Sequence, residues 1–156
     1  MSSPTATVSQ LINCPAETAF EAFVLPQHIT RFWLRSASEP LAPGGSATWD
    51  FLVPGVSDTI RVLDFVPGSQ LSLEWSDGAT LRLCFAEQHV SHQTRVSAEF
   101  SYASNEPLEY VISTAEGYTT MLCDLKTLLE TGESAGLVQA KADLISLSLT
   151  TEQADA

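Results

Sequence analysis

The chain has 156 residues, of which 44% are hydrophobic, enough for one domain with a substantial core. Seven basic residues against nineteen acidic ones leave a net charge of −12, a field that repels phosphate backbones and anionic lipid surfaces and argues against nucleic-acid binding and membrane docking. The first residues, Met1 to Thr5, carry neither the basic region nor the apolar run of a signal peptide, and no apolar stretch approaches the length of a membrane span.

Cys14, Cys84 and Cys123 fall in three different predicted elements without metal-like spacing, so reduced thiols and a cytoplasmic location are expected, with neither metal nor cofactor. Thr5–Cys14 alternates like a strand. Pro15 then opens a helix where its missing N–H costs nothing, with Asn13 or Cys14 as cap and Glu17 in the first turn. Phe20, Phe23 and Val24 form its apolar stripe, and Pro26 ends it. Gln27–Trp33 reads as a second short helix carrying Ile29, Phe32 and Trp33.

Six strands follow, at Ser36–Ala42, Ser46–Val53, Asp58–Val66, Gln70–Ser76, Ala79–Gln88 and Gln93–Tyr102. They are separated by Pro43-Gly44-Gly45, Pro54-Gly55, Pro67-Gly68, Asp77-Gly78 and the polar stretch Glu87–His92. Such short turns predict an antiparallel meander. Leu71/Leu73/Trp75, Leu81/Leu83/Phe85 and Val96/Ala98/Phe100 form one buried face, with polar residues alternating on the other.

Two hairpins test that reading. A three-residue loop of Ser76, Asp77 and a left-handed Gly78 pairs Leu73 with Leu81 and Leu71 with Leu83, whereas a two-residue loop would set Leu73 opposite Arg82. The first register also places Glu74 diagonal to Arg82 as a surface ion pair. At Pro67-Gly68, a tight turn sets Arg61 opposite Glu74 on the wet face. A register one residue different sends Arg61, Leu63 and Phe65 inward, making Arg61 the single cation of an interior space.

After Pro107, apolar residues recur at Val111, Ala115, Tyr118, Leu122, Leu125 and Leu129, which predicts a helix from about Leu108 to Glu130, stopped by Gly132. Gly117 inside it marks close packing or room beside the helix. Residues 133–156 fit a helix at Leu137/Val138, Lys141 and Leu144/Ile145, yet Ile145–Leu149 alternates like a strand. They are expected to be a weakly docked or mobile tail to a domain spanning residues 1–132.

The order strand, two short helices, six strands, long helix resembles the helix-grip plan. Cys14–Trp33 resembles the opening of SRPBCC (START-like) proteins related to the heat-shock protein 90 ATPase activator homologue. Pro43-Gly44-Gly45 followed by Trp49 is similar to their glycine pair, Val62–Trp75 to their strand–proline–strand ending in tryptophan, and Gly117–Gly132 to their final helix. Tyr118 stands where tryptophan is usual, and Ile60 where a glycine often is. The resemblance implies an α+β fold in which a curved antiparallel sheet of about seven strands wraps the C-terminal helix.

A sheet bent over one helix leaves a space that side chains or a ligand must fill. The candidates for its lining are Trp33, Trp49, Phe51, Arg61, Trp75, Leu83, Phe85, Tyr118, Met121 and Leu122, with Tyr118 and Trp75 as its polar tips. His89 and His92 lie in a polar turn without further ligands nearby, and His28 is placed near the mouth as a proton-shuttle candidate. Asp50 and Asp64 are expected on the wet face. Because the inward faces carry almost no ionisable groups, the leading expectation is a non-catalytic carrier or sensor of a small apolar molecule, monomeric or homodimeric. The alternatives are a chaperone-binding module and a cyclase- or aromatase-like enzyme using Tyr118, His28 or Arg61.

Overall fold

The computed structural model describes residues 4–89 and 92–155, with the backbone alone for 149–155. Strand β1 (Thr5–Ile12) leads into helices α1 (Ala16–Val24) and α2 (Pro26–Ile29). Strands β2 (Leu34–Ala37), β3 (Ser46–Phe51), β4 (Ser57–Val66), β5 (Gln70–Glu74), β6 (Thr80–Glu87) and β7 (Thr94–Ser101) follow, then helices α3 (Leu108–Thr131) and α4 (Leu137–Asp155). All strands join one antiparallel sheet ordered β1-β7-β6-β5-β4-β3-β2, so the N-terminal strand closes against the last one. This is the helix-grip plan expected from the sequence. No described helix is long and apolar enough to cross a membrane.

The β5–β6 hairpin has the three-residue loop. Gly78 sits at φ +90°, Trp75 N–H donates to Ala79 O at 2.8 Å, and Leu73 pairs with Leu81 and Leu71 with Leu83. The β4–β5 hairpin combines both registers weighed above. Next to the turn Phe65 pairs with Leu71 and Asp64 with Ser72, but a β-bulge at Leu63 shifts the ladder so that Val62 pairs with Leu73 and Arg61 with Glu74. One extra residue reverses the inside–outside alternation. Phe65 therefore turns inward against Phe20 at 5.2 Å, Val62 and Ile60 are buried, and Leu63 and Arg61 face out. Glu74 pairs with Arg61 at 2.7 Å rather than with Arg82, whose guanidinium donates instead to Gln70 Oε1 at 3.3 Å.

Neither Asn13 nor Cys14 caps α1. Pro15 holds the cap position without a side-chain bond, and the Ala16 N–H donates to Glu87 Oε1 at 3.2 Å, a carboxylate delivered by β6 to the helix N-terminus. Helix α2 is one turn long, shorter than Gln27–Trp33, and the chain turns through residues 30–33 to bury Phe32 and Trp33. Phe20 and Phe23 of α1 pack edge-on against Phe85 of β6.

Helix α3 is divided along its length. Its second half buries Met121, Leu122, Leu125 and Leu128 against the sheet, ending at Gly132 with φ +88° and its N–H on Leu128 O at 2.8 Å. Its first half stands clear, with Leu108, Tyr110 and Ile112 72%, 55% and 58% exposed. The end of α3 is tied to β1 by Lys126 Nζ, which donates to Leu11 O at 2.7 Å and to Glu130 Oε2 at 2.6 Å, and by Asn13 N–H, which donates to Glu130 Oε2 at 2.9 Å. Lys126 first, then the Asn13 N–H, hold the Glu130 carboxyl below the usual carboxylate range.

Past Gly132 the ambiguous tail is helical. Asp124, buried on α3, accepts from the Ala135 N–H at 3.0 Å and from the Ser134 hydroxyl, which lies 2.8 and 3.0 Å from its two oxygens. Those bonds fix the start of α4, whose Ala142 is buried and whose Val138 packs on the core.

Two outcomes follow from these ties. Asp124→Ala should cost about 1–3 kcal/mol through the donors it orphans, and hydrogen exchange should accelerate in residues 137–148 while β5 and β6 stay protected. Because the Glu130 pKa is lowered on folding, its contribution is full above the ordinary carboxylate range and is lost as pH falls through the lowered value. The gap in Tm between the native protein and Glu130→Gln should therefore narrow as pH is taken from about 6 to about 3.

Candidate functional site

In a meander, alternate hairpins lie at the same end of the sheet. The β3–β4 loop, the β5–β6 loop and the start of α3 thus converge, and the clear-standing half of α3 faces the sheet across a gap. That gap is a cavity, widely open to solvent, of about 490 Å³, lined by Trp33, Phe51, Val56, Ser57, Asp58, Trp75, Ser76, Asp77, Phe100, Thr114, Gly117 and Tyr118. The volume falls within the range typical of small-molecule sites.

Five aromatic rings make its walls. Trp33 meets Phe51 at 6.3 Å and Tyr118 at 6.0 Å, Phe51 meets Trp75 at 5.8 Å, and Tyr118 lies against Phe100 at 5.7 Å. Trp75 Nε1 is buried with no hydrogen-bond partner among the described residues, a donor left unsatisfied at some cost. Burial, and secondarily Tyr102, push the Tyr118 hydroxyl far above its usual range. Thr114 is engaged by the Tyr102 hydroxyl, which also donates to Tyr110 O at 2.9 Å. At Gly117 an added Cβ would meet nothing within 4 Å, so this glycine marks open room rather than close packing. A smaller space of about 150 Å³ continues past Trp33, Phe51 and Gly117 toward Val138, Lys141, Ala142 and Ile145 of α4.

Of the ten residues expected to line the cavity, Trp33, Phe51, Trp75 and Tyr118 do so. Trp49 stands behind the wall, 5.3 Å from Trp33 and 5.9 Å from Trp75. Leu83, Phe85, Met121 and Leu122 belong to the packed core. Arg61 is a correction: the Leu63 bulge carries it to the outer face, where its side chain is 62% exposed and bound to Glu74. His28 is another, because it lies with Thr18, Arg31 and Leu128 in a separate, smaller depression. His89 and His92 are exposed, and Asp50 accepts from the Ser36 hydroxyl at 2.6 Å on the outer face. The sequence reading missed Val56 just before β4, Ser57 and Asp58 at its start, and Ser76 and Asp77 in the β5–β6 loop. The parity of the hairpins was the available signal, since Pro54-Gly55 and Asp77-Gly78 must share one end of a meander.

Several solved structures share this fold. A Staphylococcus saprophyticus protein, SSP2350, is 24% identical with a TM-score of 0.75, over 84% of this chain and 95% of its own. The Aha1 dimer from Colwellia psychrerythraea is 16% identical with a TM-score of 0.73, over 84% of this chain and 99% of its own. CalU16 from Micromonospora echinospora is 15% identical with a TM-score of 0.66, over 88% and 83% respectively. No curated protein matches the sequence. The family model described as Activator of Hsp90 ATPase homolog 1-like protein matches residues 13–130, and the chain belongs to that family.

Proposed function

We propose that the protein binds a small, largely apolar, ring-bearing molecule in the cavity between its sheet and α3, as a non-catalytic carrier or sensor. One observation carries this reading: a cavity of about 490 Å³ walled by five aromatic rings. A packed core would close such a gap. The cyclase-like alternative loses two of its three candidate groups, since Arg61 and His28 lie elsewhere. Three free cysteines support a reducing, cytoplasmic setting.

A chaperone-binding role has its own support in the exposed Leu108, Tyr110 and Ile112 on α3, two of which share a helix face. Stimulation of a chaperone's ATPase by the purified protein, abolished by Leu108→Asp with Ile112→Asp, would favour that role. No stimulation would remove it.

Extraction of the purified protein followed by mass spectrometry should recover a small apolar molecule, and recovery of nothing from several expression hosts would count against the carrier reading. A binding measurement sharpens this. Gly117→Leu should weaken binding of the neutral fluorescent probe N-phenyl-1-naphthylamine at least tenfold without lowering Tm, because the new side chain enters open room. Gly117→Ala should stabilise the helix by about 1 kcal/mol. Unchanged probe affinity in Gly117→Leu would place the probe outside the cavity.

A further inference from the structure

Within the cavity reading, the lining has a charge asymmetry that narrows the class of ligand. Among its twelve residues the charged ones are Asp58 and Asp77, and none is lysine, arginine or histidine. The two carboxylates come from the start of β4 and from the β5–β6 loop, and are fixed there by backbone donors. Asp58 Oδ1 accepts from the Thr59 N–H at 2.9 Å and Oδ2 from the Ser76 N–H at 3.2 Å. Asp77 Oδ1 accepts from the Ala79 N–H at 2.9 Å.

Nearby cations do not neutralise them. Arg61 is held by Glu74 on the outer face, and Lys141 is held by Glu116 and lines the smaller space toward α4. An anionic head entering this mouth would meet two carboxylates on a chain of net charge −12. A protonated amine would meet opposite charge at the rim and the faces of aromatic rings beneath it.

We infer that the cavity selects cationic amphiphiles: a flat apolar body among Phe51, Trp75, Phe100 and Tyr118, with an ammonium group at Asp58 and Asp77. The inference rests on the cavity reading and can fail without it. Fatty acids and other carboxylates are the class it excludes.

Three isosteric probes test it by calorimetry on the full chain: 2-(1-naphthyl)ethylamine, 2-(1-naphthyl)ethanol and 1-naphthaleneacetate. The amine should bind about tenfold more tightly than the alcohol at low salt, and the carboxylate more weakly than either. Raising salt should shrink the amine preference while leaving the alcohol's affinity level. Asp58→Asn and Asp77→Asn should each reduce the ratio of amine to alcohol affinity, and agreement between them guards against one variant folding poorly. Equal binding of amine and alcohol, or preference for the carboxylate, overturns the charge inference alone. Failure of all three probes to bind overturns the cavity reading and this inference together.

Discussion

The packing of Trp33 governs both halves of this molecule. The indole follows the single turn of α2 and enters the concave side of the sheet, where it meets Phe23 of α1 at 6.1 Å, Trp49 of β3 at 5.3 Å and Tyr118 of α3 at 6.0 Å. Edge-to-face aromatic pairs each add about 0.5–1.5 kcal/mol beyond the area they bury. On one side of this ring the interior is filled by Phe23, Trp49 and the leucines of β5 and β6. On the other side the same ring faces open space. It joins the short helices, the sheet and α3, and it is where packing stops.

That boundary explains why α3 is uniformly periodic in sequence yet unequal in environment. Leu122, Leu125 and Leu128 lie against β1 and β7, and the Lys126–Glu130 pair fastens this end to Leu11 and Asn13. Val111, Ala115 and Tyr118 continue the apolar stripe past the region where the sheet can follow it. The stripe there borders a cavity, and Gly117 keeps the room open. Helix α4, anchored through Asp124, then covers the side of that space next to Trp33 and Phe51.

Much of the fold was legible before any coordinates. Alternation of Leu71/Leu73 with Leu81/Leu83 selected the three-residue loop at Gly78, and an apolar recurrence of three and four residues located α3. What escaped had nonlocal causes. Leu63 looks like any strand residue, and its bulge arises because Phe65 must reach Phe20 while Ile60 and Val62 must remain inside. Glu87 caps a helix more than seventy residues earlier, a contact that no local pattern announces. In the candidate site, the aromatic positions were readable from their face of the sheet. Asp77 was not, because a loop residue has no period, whereas Asp58 on β4 shares the parity of the buried Ile60 and Val62 and could have been read as inward. Leu83, Phe85, Met121 and Leu122 face inward as their pattern required, but inward leads to core at that end of the molecule.

We propose that the space beyond Trp33 binds the ligand and that the rest of the interior is closed. This is tested most directly by a crystal structure with a brominated naphthyl alcohol, using the anomalous signal of bromine to locate the ligand. Bromine is expected between Phe51, Trp75 and Tyr118, with the core around Leu83 unmoved. Bromine found instead in the depression formed by Phe20, Val24 and Phe65, with the rings around Trp33 collapsed together, would contradict it.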